Sequence, residues 1–167
     1  NCFAVRGTNI FAGTNRGGYS FSSGWVNAGL TDSLFRALAV SGLNLVAGTY
    51  GGVFLSPDNG TSWNASKTVL PNPFVNALVV HGVNLFAGTA VGGGLFLSTD
   101  NGANWVSANP GSVGPPAVWS FAVSGTNLFA GTFNGVLLST DKGASWSGIG
   151  TSLTNTYIYA LAVSGMN

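Results

Sequence analysis

Three observations predict an all-β chain built from short antiparallel strands. The first is composition: 26 glycines, 46% apolar residues and 5% charged residues in 167, with no glutamate. Val, Phe, Thr and Trp fit a pleated surface and Gly supplies tight turns, whereas the straight-chain residues that favour helices are scarce. The second is alternation of apolar and small or polar residues in segments such as NLFAGT, each bounded by Gly, Asn, Asp or Ser. The third is self-similarity. LAVSGLNLVAGT (38–49), LVVHGVNLFAGT (78–89) and FAVSGTNLFAGT (121–132) align without gaps, FAVRGTNIFAGT (3–14) joins them, and LAVSGMN (161–167) begins a fifth copy. The Gly-Thr pairs at 13, 48, 88 and 131 set a repeat of about forty residues.

Each unit divides into four strands. In the third unit these are expected at 75–80, 84–89, 94–99 and 104–108, parted by His81-Gly82, by Gly92-Gly93-Gly94 and by Asp100-Asn101-Gly102. A four-stranded antiparallel sheet recurring at this interval predicts the blade of a β-propeller. One blade cannot bury both faces, so neighbours must stack. A β-solenoid is the competing repeat architecture, but its coils are shorter. The chain is read as a single propeller domain, 1–167, with blades at 1–33, 34–73, 74–117 and 118–157 and the first strand of a fifth at 158–167. Propellers hold about four to eight blades, so this inventory is expected to be part of a larger ring. Self-association that completes a ring or grows a filament is the alternative.

Charge excludes several partners. Five Lys and Arg scattered against four Asp give a net charge of +1, which leaves no basic patch for nucleic acid or an anionic membrane. The most apolar window, 77–97, is broken by His81, Asn84, Thr89 and five glycines. It is read as consecutive strands rather than a membrane span. The one cysteine, Cys2, has no internal partner, and no Cys/His spacing implies a metal or cofactor. Few ionisable groups among many Asn, Ser, Thr and Gly point to an extracellular or cell-surface location. The N-x-S/T patterns at Asn59 and Asn64 do not decide it.

Three octets carry the only conspicuous motif: SPDNGTSW (56–63), STDNGANW (98–105) and STDKGASW (139–146). The first unit has GGYSFSSGW (17–25), which keeps Gly and Trp and lacks the Asp. The pattern Ser-x-Asp-x-Gly-x-x-Trp resembles the Asp-box, or BNR repeat, of propellers in sialidases, sortilin-type receptors, xyloglucanases and photosystem II assembly factors. The context GGVFLSPDNGTSW is most similar to the last group, the YCF48-like propellers and their secreted bacterial relatives. That resemblance implies a turn between the third and fourth strands, opened by Ser56, Ser98 or Ser139. It implies that Asp58, Asp100 and Asp141 accept turn N–H groups, and that Gly60, Gly102 and Gly143 adopt a backbone disfavoured for other residues. Trp63, Trp105 and Trp146 would pack on the sheet or on the neighbouring blade. The carboxylates are therefore expected to act as staples over buried donors, not as chemistry.

Catalysis is not expected. Glycosidases generally use two facing carboxyl groups, but Glu is absent and three of the four Asp lie in the turns, leaving Asp32. The arginine triad and Tyr–Glu pair that a sialidase resemblance would bring are unmatched, because Arg6, Arg16 and Arg36 fall at different positions in their units. His81 replaces the Ser of a Ser-Gly-x-Asn hairpin and is expected to be exposed. Unlike residues instead occupy one column just before the first strand's repeated core: Asn1, Arg36, Asn76, Trp119 and Tyr159. The loops at that end vary as well, so a binding face opposite the Asp-box turns is expected to include Arg16, Arg36, Tyr50, Asn76, Trp119, Phe133, Tyr157 and Tyr159. Aromatic rings beside a few polar groups suit a sugar ring or a partner's peptide. The sequence thus predicts a non-catalytic secreted bacterial module that binds glycan or protein. The alternatives are a piece of an Asp-box glycoside hydrolase, sialidase- or xyloglucanase-like, with its catalytic residues elsewhere, or a structural subunit of an extracellular assembly.

Overall fold

The alternating segments become strands, and the strands close into four separate four-stranded sheets. A computed structural model describes residues 1–31, 33–109, 116–149 and 157–164. The first sheet comprises β1 Cys2–Arg6, β2 Asn9–Thr14, β3 Gly17–Phe21 and β4 Trp25–Asn27. The second comprises β5 Phe35–Ser41, β6 Asn44–Thr49, β7 Gly52–Ser56 and β8 Asn64–Ala65. The third holds β9 Val75–His81, β10 Asn84–Thr89, β11 Leu95–Ser98 and β12 Val106–Ser107. The fourth holds β13 Val118–Ser124, β14 Asn127–Thr132, β15 Gly135–Ser139 and β16 Ser147–Ile149. Every sheet is an antiparallel meander in sequence order. The apolar window 77–97 is therefore most of β9, all of β10 and part of β11.

The hairpins explain why each unit repeats a Gly. Arg6 pairs with Asn9, Ser41 with Asn44, His81 with Asn84 and Ser124 with Asn127, leaving two-residue loops led by Gly7, Gly42, Gly82 and Gly125. Each of these glycines has φ between 55 and 64°, the geometry of a two-residue hairpin with Gly in first place. His81 departs from expectation: it is the half-buried end of β9, and its Nδ1 is buried without a hydrogen-bond partner. The strand pairs it inward where a free turn would have left it in water.

The second glycine of Ala-Gly-Thr serves a different purpose. The first strands β1, β5, β9 and β13 lie side by side, each against the next, and the glycine of the second strand forms a socket for the following unit. A Cβ on Gly48 would lie 2.6 Å from Val75 Cγ1, and one on Gly88 would lie 2.4 Å from Val118 Cγ1. Phe35 fills the same place at Gly13, and Ile158 fills it at Gly131. Ile158 N also donates to Thr132 O at 2.9 Å, so residues 157–164, although not in a strand, begin on the fourth sheet as β5, β9 and β13 begin on theirs.

Apolar residues between sheets supply the core. Val46, Val53 and Leu55 of the second sheet pack with Leu85, Phe96 and Trp105 of the third. Phe86 and Leu95 of the third pack with Val118, Leu128, Leu137 and Trp146 of the fourth. Leu45, Leu85 and Leu128 are fully buried, each stabilising the stack by roughly 1.5–3 kcal/mol. Ile10, the equivalent residue of the first sheet, is 37% exposed, and Phe3 and Val5 are more exposed still. Outer strands are shorter than expected, because Trp105 turns into the core and the third strand yields Gly94, at φ 102°, to its preceding turn.

Candidate functional site

Two sets of side chains mark opposite ends of the sheets. At one end are the turns between third and fourth strands. Asp58 Oδ1 accepts from Ser62 N at 2.8 Å and from the Ser56 hydroxyl at 2.8 Å, while Oδ2 accepts from the Ser62 hydroxyl at 2.6 Å. Asp100 repeats this with Asn104 and Ser98, and Asp141 with Ser145 and Ser139. Hydrogen bonds to the ionised form depress a carboxyl pKa. The Ser145 hydroxyl, then Ser145 N–H, then the Ser139 hydroxyl hold Asp141 at about 2. Ser62 lowers Asp58 in the same way, and the Asn104 side chain leads for Asp100.

The expectation that these carboxylates cover buried donors needs correction, because all three aspartates are exposed. The buried group is the serine. Ser56, Ser98 and Ser139 are at most 1% exposed, and each hydroxyl accepts the buried N–H of Gly60, Gly102 or Gly143 at 2.6–2.8 Å. Those glycines have φ near 90°, preceded by Asn59, Asn101 and Lys142 at φ near 60°. The turns also clamp one sheet to the one before it. Trp63 Nε1 donates to Ala28 O at 2.7 Å, and Ser41 Oγ donates to Asn101 Oδ1 at 3.1 Å. Trp105 Nε1 donates instead to Gly102 O within its own turn. Trp146 meets the Phe86 ring edge-on at 6.3 Å.

The other end carries the variable column, and its geometry is a repeated β-bulge. Phe35 pairs with Thr49 but Ala37 with Gly48, which leaves Arg36 as the extra residue. Asn76 is the extra residue of β9 and Trp119 that of β13. A bulge re-aims a side chain out of the regular alternation. Here the three bulged residues and Asn1 line one cavity of about 320 Å³. Asn1 Nδ2 donates to Phe35 O and Asn76 Nδ2 to Val118 O, both at 3.2 Å. Each asparagine thus ties its strand to the residue preceding the next bulge. Asn1 also donates to Asn15 Oδ1, beside exposed Arg16. Arg16 itself does not line the cavity.

Aromatic rings extend the cavity on two sides. Trp119 stacks on Phe133 at 5.5 Å and meets Tyr159 edge-on at 5.5 Å. Phe133 meets Tyr157 at 4.7 Å, and Tyr157 stacks on Tyr159 at 6.3 Å. Tyr157 and Tyr159 are more than half exposed. On the other side the Arg36 guanidinium lies 5.8 Å over the Tyr50 ring, which packs on Phe74 at 4.9 Å. Phe74, one residue before the strand expected at 75–80, was not among the residues expected on the binding face, although its 44% exposure puts it on the surface. The threonines of three Gly-Thr pairs shape the nearby loops: Thr14, Thr49 and Thr132 accept an N–H two residues on and donate to a carbonyl three residues on, whereas Thr89 donates to Gly94 O, five residues on. A second cavity of about 310 Å³ lies between the fourth sheet and residues 161–164, lined by Ala122, Phe129, Leu161 and Val163 together with Ser124 and Ser164. Asp32 lies outside the described residues.

Among solved structures, the chain is similar to the extracellular domain of BT4673 from B. thetaiotaomicron, with a TM-score of 0.74 and 21% identity over 95% of this chain and 24% of that one. An ancestral GH74 enzyme matches at TM-score 0.70 and 17% identity, covering 85% of this chain and 22% of that chain. YCF48 bound to D1 peptide matches at 0.63 and 16%, covering 87% and 52%. The chain has the β-propeller fold. Its four sheets are blades, with β1, β5, β9 and β13 as their first strands. It spans from about a quarter to about half of the length of these propellers. No family model matches the chain, and no curated protein matches it.

Proposed function

We infer that this propeller is a non-catalytic binding module of an extracellular or cell-surface bacterial protein, holding a glycan against the bulge-lined end of its blades. One observation carries the reading. Three bulges bring Arg36, Asn76 and Trp119 to one cavity with Asn1, the residue at the same repeat position of the first unit, and exposed rings flank it. Rigid rings offer contact area at small entropic cost, and a few polar groups fix orientation. The three Asp-box carboxylates stand at the opposite end with all their bonds inside the turns, which suits scaffold better than acid–base work. Similarity to an extracellular domain is the support for location.

A protein or peptide partner is the second reading, favoured by the likeness to YCF48, whose structure holds D1 peptide. Glycan-array screening of the protein tests the first. Binding to a glycan that falls at least tenfold in the Trp119→Ala, Tyr159→Ala double variant, with cooperative unfolding retained, is the expected result. Silence on the array, together with capture of peptides by the same face, would replace it with the second.

A further inference from the structure

The cavity's hydrogen-bonding needs narrow the glycan class, a step that rests on the glycan-binding reading. Asn1 and Asn76 commit their Nδ2 groups to carbonyl oxygens, Phe35 O and Val118 O at 3.2 Å, and Asn1 also to Asn15 Oδ1. Their own Oδ1 atoms meet no donor among the described residues and so remain acceptors. The Trp119 Nε1–H is buried and has no acceptor, so it is the indole ring and not its N–H that Trp119 offers to the cavity. Arg36 adds an exposed guanidinium held over the Tyr50 ring at 5.8 Å. Among the described residues no carboxylate stands at this end of the blades, since Asp58, Asp100 and Asp141 all lie in the turns at the other end.

A suitable ligand therefore presents hydroxyl groups, which donate to the amide oxygens, and also an anion. We propose that the cavity takes a uronic-acid residue of an acidic glycan. Its hydroxyls donate to Asn1 and Asn76 Oδ1, its carboxylate pairs with the fork of Arg36, and its ring lies along the Trp119 and Tyr159 wall. Guanidinium–carboxylate pairing is among the stronger charge-assisted contacts, and the aromatic ring beneath Arg36 pre-orders the fork. A neutral sugar satisfies the amides and offers Arg36 no charge partner. A peptide C-terminus satisfies Arg36 but brings no set of hydroxyls.

Isothermal titration of the protein with trisaccharides containing galacturonic or glucuronic acid, each beside its carboxyl-reduced neutral counterpart, decides the matter. At least one acidic trisaccharide is expected to bind tenfold or more tightly than its neutral form at 50 mM NaCl, with the preference shrinking at 500 mM. Arg36→Gln is expected to reduce the acidic affinity to that of the neutral sugar, with the melting temperature unchanged because the side chain is exposed. Should that variant fail to fold, the wild-type salt dependence and acid–neutral ratio still decide. Equal affinity for acidic and neutral sugars overturns the acidic assignment and leaves the glycan reading standing. Failure of every sugar, with binding of a peptide ending in a free carboxylate, overturns both.

Discussion

Ser98→Ala tests the account of the Asp-box most sharply, because it separates the buried serine from the conspicuous aspartate. The Ser98 hydroxyl is 1% exposed, accepts Gly102 N–H at 2.8 Å and donates to Asp100 Oδ1 at 2.9 Å. Alanine removes the acceptor while Gly102, at φ 90° and packed against Leu55, Leu85 and Val46, keeps its N–H away from water. One buried donor left unpaired costs about 1–3 kcal/mol. For a chain of this size that lowers the melting temperature by about 2–4 °C per kcal/mol. Urea unfolding followed by tryptophan fluorescence gives the free energy, and scanning calorimetry gives the midpoint. Asp100→Asn should cost less, since its carbonyl oxygen can still accept Asn104 N–H in an exposed turn. A Ser98→Ala protein within about 0.5 kcal/mol of wild type, the range of an ordinary surface change, would refute the assignment of the staple to serine. So would a larger loss from Asp100→Asn.

Three further outcomes are expected. Gly143→Ala should destabilise more than Gly102→Ala: both positions have φ near 90°, but a Cβ on Gly143 would lie 2.2 Å from the Phe86 ring, against 3.2 Å from Leu55 for Gly102; thermal melts rank them. Gly88→Ala should cost about 1–3 kcal/mol by overpacking the socket that receives Val118, and a neutral result in urea unfolding would remove the socket's role. Because the Asp58, Asp100 and Asp141 carboxyls are lowered in the folded protein, their stabilisation is fully present above the usual aspartate pKa near 4. It should fade as pH falls toward about 2 for Asp141. Melting temperature should drop across that window, with a shallower drop in Asp141→Asn, and a rise on acidification would contradict it.

Much of the architecture was legible because the same few residues recur under the same physical demand. NLFAGT alternates, a positive-φ glycine follows each first strand, and a Thr ends each second strand. Burial was not legible. Asp100 attracts notice because charge is scarce, whereas Ser98, which carries the buried bond, looks like any of the chain's many serines. The column Asn1, Arg36, Asn76 and Trp119 could be read as three residue types at one repeat position. That each of the last three is a bulge could not, because a bulge shows only in pairing, as when Phe35 meets Thr49 and Ala37 meets Gly48. His81 was misjudged for the same reason. A turn residue by alignment became a strand end once Asn84 paired with it.

Indole N–H signals in a nitrogen-15-edited NMR spectrum test the division between scaffold and site most directly, since four of the five tryptophans divide between them. Trp63, Trp105 and Trp146 sit in the Asp-box turns, Trp25 lies on the first blade's outer strand, and Trp119 alone lines the cavity. Addition of a trisaccharide containing galacturonic acid should shift the Trp119 signal and leave the three turn signals in place. Shifts concentrated on Trp63, Trp105 and Trp146 would contradict the account.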